Sequence, residues 1–132
     1  MFECYERNVA AMIGLSTAVQ YLSKLGINAI EERTSHLSSS LIAGLSELKD
    51  IKVLEKSRHR SSIITFTKGN IDAKILRDEL KKRNINVSVC KQQNSQLDLG
   101  TELTGDVTRV SLHYYNTQQE ISEFLQALEE IR

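Results

Sequence analysis

The first third of the chain carries apolar residues at spacings of three and four, the period of a helix. One such stretch runs from about Glu6 to Leu25, and Gly26 then offers the left-handed backbone that commonly ends a helix. A second begins at Asn28, where an asparagine followed by glutamate three residues later has the form of an N-terminal cap, and it continues to about Lys49. The pattern therefore predicts two long consecutive helices.

After the second helix the apolar period changes to that of a strand. Ile51–Leu54 and Ser61–Phe66 are short runs rich in β-branched residues, and they predict a hairpin. The basic connection between them, Lys56–Arg60, is expected to be a solvated turn rather than a phosphate site.

A third helix is predicted to begin at Asn70 or Asp72 and to end near Asn84, with an alternating strand over Ile85–Cys90 after it. The apolar residues of that helix are Ile71, Ile75, Leu76 and Leu80.

The last part of the chain begins with a polar connection, Lys91–Asp106, whose length is typical either of functional loops or of mobile surface segments. A strand over Val107–Leu112 follows. Thr117 and Glu120 then have the spacing of a capping box, so a final helix begins at Thr117. Its stripe consists of Ile121, Phe124, Leu125, Leu128 and Ile131. The predicted order is ααββαββα, an α+β fold with a small sheet covered by helices.

Length and composition limit the number of domains and the kinds of partner that can be expected. The 132 residues predict one domain. Lysine plus arginine equal aspartate plus glutamate at 17 each, which gives no reason to expect nucleic acid or an anionic membrane as partner. The two cysteines, Cys4 and Cys90, have no paired spacing, and no apolar run could span a bilayer, so a cytoplasmic location is expected. No histidine or cysteine has the short spacing of a metal ligand pair.

Arg109 lies in the predicted Val107–Leu112 strand, and its chemistry admits two interpretations. A guanidinium presents two parallel donors that match the two oxygens of a carboxylate, so Arg109 is a candidate substrate clamp. Alternatively it is a strand arginine paired with an acidic neighbour, as structural arginines commonly are.

The segment Arg109–Ile121, RVSLHYYNTQQEI, resembles the signature near the C-terminus of class V aminotransferases, a family that includes cysteine desulfurases and isopenicillin N epimerase-like proteins. Phe2-Glu3, Asn8 and Gly14-Leu15 are similar to the segment that opens the family's small C-terminal domain. The resemblance thus implies that residues 1–132 are that small domain, with a mainly antiparallel sheet like that of aspartate-aminotransferase-type enzymes.

The same resemblance implies function. The complete enzyme would use pyridoxal phosphate, be a homodimer and act on amino acids, with Arg109 binding the substrate carboxylate and His113 shaping the cleft. The cofactor lysine and phosphate loop of the family belong to its large domain, and no lysine of this sequence has the family's Schiff-base context. The chain alone is therefore expected to be inactive, to bind no cofactor tightly, and to need the large domain as partner. Within the family, the HYYNT form and the sequence around Cys90 favour an aminotransferase or epimerase over a cysteine desulfurase.

Two alternatives to this interpretation stay open. The first is that the chain is part of a cysteine desulfurase with Cys90 as the nucleophile. Cys90 lies 19 positions before Arg109, roughly where desulfurases carry their nucleophile, although no histidine precedes it and no proline follows it. An independent ligand-binding or interaction module is the other, because small α+β folds host many functions. An exposed apolar patch distinguishes a domain of a larger enzyme from an autonomous module.

Overall fold

The computed structural model describes residues 8–54, 61–92 and 105–131, and within them the order of elements is the predicted ααββαββα. The elements are α1 (Val9–Leu25), α2 (Ile27–Glu47), β1 (Ile51–Val53), β2 (Ile63–Lys68), α3 (Ala73–Lys82), β3 (Ser88–Cys90), β4 (Val107–Ser111) and α4 (Gln118–Glu130). The α+β prediction is confirmed.

The four strands form one antiparallel sheet in the order β1-β2-β4-β3. Strand β4 is therefore central, between β2 and β3, while β1 and β3 lie at the edges. Because alternate residues of a strand point to opposite faces, the register assigns each side chain to a face. Ile64 and Phe66 of β2 pair with Val110 and Thr108 of β4, and these four share one face.

That face carries the hydrophobic core, because α2, α3 and α4 place their apolar stripes against it. The fully buried members include Leu41, Ile64, Phe66, Leu80 and Leu128. The Phe66 and Phe124 rings meet edge to face with centroids 6.2 Å apart, a favoured aromatic geometry. On the opposite face of the sheet, no described helix contributes residues to this core cluster.

The chain divides into two units, Met1–Glu32 and Arg33–Arg132. In the first, Asn8 caps α1 by accepting a hydrogen bond from the Ala11 backbone N–H at 3.0 Å, and Gly26 ends it with a φ of 88°. Although α1 has the predicted helical period, none of its residues is buried. In the described part of the chain no helix is long and apolar enough to cross a membrane.

Some predicted boundaries were wrong. Helix α2 begins at Ile27, directly after Gly26, so Asn28 lies inside the helix instead of capping it. Of the two predicted starts of α3, the structure has the second: Asp72 is the N-cap, its carboxylate accepting from the Lys74 N–H at 2.7 Å. Ile71, predicted within this helix, therefore precedes it, and Ile75 is 59% exposed.

The strands differ from their predicted bounds in the same way. Strand β2 runs two residues further than predicted, to Lys68, and β3 is limited to Ser88–Cys90, so the alternating residues 85–87 lie outside the sheet. The predictions for Phe2-Glu3, Cys4, Lys56–Arg60 and most of Lys91–Asp106 fall outside the described residues.

Candidate functional site

Arg109 occupies the middle of the sheet. It is the central residue of β4 and pairs with Thr65 of β2 on one side and with Ser88 of β3 on the other. The register places it on the face opposite Phe66 and the helices. The strand position of Arg109 agrees with the prediction, and the residue is half-buried.

The guanidinium of Arg109 has an unsatisfied donor. Its Nε is buried and has no hydrogen-bond partner among the described residues. Of the ion pairs that these residues form, none involves Arg109. A buried donor without an acceptor is costly, by roughly 1–3 kcal/mol for neutral groups and more for charged ones. The alternative interpretation required an acidic residue paired with Arg109, and within the described ranges no acidic residue forms that ion pair.

Cys90 lies on the same face of the sheet as Arg109, opposite the helices. Cys90 pairs with Val107 and Ser88 pairs with Arg109, so Cys90 and Arg109 are diagonal neighbours on adjacent strands. Such neighbours are about 7–8 Å apart. The thiol is free and half-buried, and it belongs to a strand, not to a loop.

His113 lies beyond the end of β4 and is exposed. Its ring contacts those of Tyr114 and Tyr115, with 4.3 Å between ring centroids in each pair; the Tyr115 ring is stacked on it and the Tyr114 ring is tilted by 46°. Four positions separate it from Arg109, or roughly 13 Å along an extended chain. The structure therefore brings Cys90 close to Arg109 and leaves His113 in a separate aromatic cluster.

Asn116 holds the turn that follows. Its Oδ1 accepts a hydrogen bond from the His113 backbone N–H at 2.8 Å, and the Asn116 backbone N–H donates to the His113 carbonyl at 2.9 Å. From α2, Arg33 donates to the Asn116 carbonyl at 2.8 Å. The Thr117 and Glu120 capping box predicted at this point is present. These bonds fix the path of the chain from the Arg109 strand into α4.

A groove of about 750 Å³ lies elsewhere, on the helix-covered face. Residues 84–87, the end of β4 and one side of α4 line it, and Arg109 and Cys90 do not. We locate the candidate site on the sheet face opposite the helices and not in this groove, because the unpaired donor is there.

Thr65 and Ser88, the cross-strand neighbours of Arg109, were not identified from the sequence. The polar and apolar alternation of Ile64, Thr65 and Phe66 was available as a signal that β2 has one buried and one polar face. The register between strands could not be predicted from this alternation, because residues that pair across strands are distant in sequence and leave no local sequence pattern.

A family model described as aminotransferase class-V matches residues 1–124. Among curated proteins, a probable cysteine desulfurase from Methanothermobacter thermautotrophicus is 28% identical over 136 residues, covering 98% of this chain and 33% of that protein. One from Borreliella burgdorferi is 29% identical over 132 residues, with 98% and 31% covered. The chain thus spans about a third of the length of these relatives.

Solved structures share the fold. The apo cysteine desulfurase from Thermococcus onnurineus superposes with a TM-score of 0.85 at 24% identity, over 98% of this chain and 32% of that one. A NifS-like protein from Rickettsia africae gives a TM-score of 0.81 at 25% identity, over 97% and 36%. A mutant of the lyase C-DES that holds glycine covalently linked to its PLP cofactor gives 0.73 at 20% identity, over 89% and 28%.

Proposed function

This chain belongs to the class V aminotransferase family, and we propose that it is the small C-terminal domain of a pyridoxal-phosphate enzyme acting on amino acids, in which Arg109 binds the substrate carboxylate. The family model matches residues 1–124, and the relatives are about three times as long as the chain. Activity is proposed to require the large domain that those relatives possess.

The observation that carries this proposal is the buried Nε of Arg109 without a partner among the described residues. A guanidinium offers Nε–H and one terminal N–H in parallel, and a carboxylate accepts both. Thr65 and Ser88 flank the arginine on either side, so its position between two strands is fixed by backbone pairing. A clamp on a central strand holds a substrate carboxylate at a defined place, which orients the rest of the amino acid.

The described residues do not fit the cofactor itself. Pyridoxal phosphate supplies an electron sink when a lysine holds its aldehyde and an acid holds its ring nitrogen. Among the described lysines the buried one is Lys68, which pairs with Ile51 and lies on the helix-covered face with Phe66. The sheet separates Lys68 from Arg109. We therefore assign the cofactor to the large domain, and this chain contributes the carboxylate site.

A second candidate function is cysteine desulfuration with Cys90 as nucleophile. It is supported by the names of the relatives and by the diagonal position of Cys90 beside Arg109 on the sheet face opposite the helices. Against it stand the strand location of the thiol and the missing histidine and proline. The transferase or epimerase interpretation remains our first choice because a nucleophile that must reach a substrate is better placed on a loop than in a paired strand.

The carboxylate site can be tested with the 132-residue chain alone, by following the Arg109 Nε–H resonance in proton–nitrogen correlation spectra. Propionate and L-alanine are expected to shift this resonance saturably. Propionamide and L-alaninamide have the same shapes but lack the carboxylate, and they are expected to leave it unchanged. Arg77 on α3, whose Nε–H donates to the Asp78 carboxylate, gives an internal control resonance.

Arg109→Lys keeps the charge but loses the two parallel donors, so it is expected to weaken propionate binding by about tenfold or more. Arg77→Lys is the matched control and should bind propionate as the original chain does. Equal responses to propionate and propionamide would contradict the proposal, as would the absence of any shift at Arg109 up to molar propionate.

A further inference from the structure

Ser88 is one of the two residues that lie directly opposite Arg109 in the sheet. It pairs with Arg109 across β3 and β4, and Thr65 pairs with Arg109 across β2 and β4. Residues in such pairs point to the same face, so all three side chains lie on the face opposite the helices. Ser88 is exposed, whereas Thr65 is half-buried. Ser88 therefore offers the more accessible hydroxyl beside the guanidinium.

The spacing of the Ser88–Arg109 pair suits one oxygen atom that is bound by both residues. Directly opposite Cβ atoms are about 4.5–5.5 Å apart. An oxygen that accepts two hydrogen bonds of about 2.8 Å each holds its two donors no more than about 5.6 Å apart. A carboxylate oxygen has two lone-pair positions and accepts both bonds. The pair is thus spaced so that its two side chains can share one carboxylate oxygen.

The nitrogen with which Ser88 can share an acceptor is Nε of Arg109, because both groups lie low over the sheet. A serine hydroxyl is one bond beyond Cβ, and Nε is the guanidinium nitrogen nearest the backbone. Nε is also the donor that has no partner among the described residues. An oxygen that accepts from Nε therefore comes within reach of the Ser88 hydroxyl, whereas one that accepts only from the terminal nitrogens lies farther from the sheet.

We propose that Ser88 is a further substrate-binding residue, whose hydroxyl donates to the carboxylate oxygen that accepts from Nε of Arg109. This inference rests on the proposed function, since it takes a carboxylate at Arg109 as the ligand. The arginine supplies two parallel donors and the serine supplies a third, which limits tilting of the carboxylate against the guanidinium. The third bond has an ionised acceptor, and such bonds are roughly twice as strong as those between neutral groups.

Ser88→Ala in the 132-residue chain tests the role of the hydroxyl, with propionate titrated against the Arg109 Nε–H resonance. The dissociation constant for propionate is expected to rise by about tenfold or more, because the lost hydrogen bond is to a charged group. Ser88→Thr keeps the hydroxyl on a residue that suits a strand, so its dissociation constant should stay within about threefold of the original value. Ser122→Ala removes an exposed serine of α4, on the other side of the sheet, and is the matched control that should bind propionate unchanged.

Two results would overturn the role of Ser88. One is a propionate affinity of Ser88→Ala equal to that of the original chain, which would mean that Ser88 only leaves space beside the arginine. The other is an equal loss of affinity in Ser88→Thr and Ser88→Ala, because the hydroxyl would then make no difference. The proposed function fails in a distinguishable way, since the absence of a saturable shift at Arg109 in the original chain would overturn both proposals.

Discussion

The side-chain amide of Asn116 donates a hydrogen bond to the carboxylate of Glu120, with 3.2 Å between Nδ2 and Oε2. The same carboxylate oxygen accepts from the Thr117 backbone N–H at 2.7 Å. Because Asn116 also accepts from the His113 N–H, its one side chain joins the end of β4 to the first turn of α4. The asparagine of the HYYNT segment is thereby explained as a connector between the Arg109 strand and the helix after it.

Asn116→Ala is expected to lower the free energy of unfolding by about 1–2 kcal/mol, since it removes two side-chain hydrogen bonds at a half-buried position. The measurement is urea unfolding followed by circular dichroism. Gln119→Ala, which removes a solvent-exposed contact with Glu123, is the matched control and should stay within about 0.5 kcal/mol of the original chain. If Asn116→Ala and the original chain were equally stable, the proposed connecting role of Asn116 would be contradicted.

Stability should depend on pH through the same carboxylate. The backbone hydrogen bond from Thr117, with help from Asn116, lowers the pKa of Glu120 below its ordinary value of 4.5. The unfolded chain therefore binds more protons than the folded one as the pH falls below about 4.5. The contribution of Glu120 is complete above that pH and is lost as the pH falls through the lower, folded pKa.

Glu120→Gln should accordingly make the urea midpoint less sensitive to pH in this acidic interval. A hydrogen bond from Arg83 likewise lowers the pKa of Glu130, so a residual slope is expected that the double variant with Glu130→Gln reduces further. Glu129→Gln is the control. An acid slope that is identical in the Glu120→Gln variant and the original chain would contradict the prediction.

The final helix shows what could be predicted from the sequence. The capping box at Thr117 and the stripe through Ile121 and Leu128 are local patterns, and the structure contains both. The N-cap prediction at Asn28 was wrong because a competing signal, the stop at Gly26, lies so close that α2 begins directly after it.

The candidate site shows what could not be predicted. That Cys90 and Arg109 share a face depends on the register between β3 and β4, which are joined by a long connection. Likewise, the period of α1 indicated a helix but not its environment. The structure leaves the apolar residues of α1 exposed. The role proposed for Arg109 came from the resemblance, because neither composition nor spacing indicates it.

The isolated chain is expected to form no stoichiometric aldimine with pyridoxal phosphate. Among the described lysines, Lys68 is buried on the helix-covered face, and the remaining ones are exposed, so none has a pocket that would favour one adduct. Borohydride reduction followed by intact mass and peptide mapping is the measurement. One lysine labelled at full occupancy, with a matching absorbance before reduction, would show that the cofactor site lies in this chain.

Replacing Cys90 separates the two candidate functions. In the complete enzyme proposed above, Cys90→Ala is expected to leave turnover of the proposed amino-acid substrate within about threefold, since surface or strand cysteines without a catalytic role tolerate the change. A loss of about a thousandfold or more in the release of sulfur from cysteine would instead identify Cys90 as the nucleophile. Cys90→Ser provides the conservative comparison, and thermal unfolding of both variants reports whether the sheet is intact.

The approach of α2 to α4 at Gly44 provides a prediction about packing. A Cβ built on Gly44 would overlap Cδ1 of Leu125 and lie 3.3 Å from its Cγ, so an alanine there requires the leucine to move. Leu125 is half-buried and packs against the core, and moving it sacrifices part of that contact. Opposing this loss, alanine is favoured over glycine inside a helix by about 1 kcal/mol.

Gly44→Ala in the original background should therefore gain less stability than its helix propensity implies, or lose some. In the Leu125→Ala background the obstruction is absent, and the same change is expected to stabilise by up to about 1 kcal/mol. A double-mutant cycle by urea unfolding measures the coupling between the two positions. If Gly44→Ala has the same effect in both backgrounds, the two side chains do not compete for this space, and the close approach of the helices is not what requires glycine at position 44.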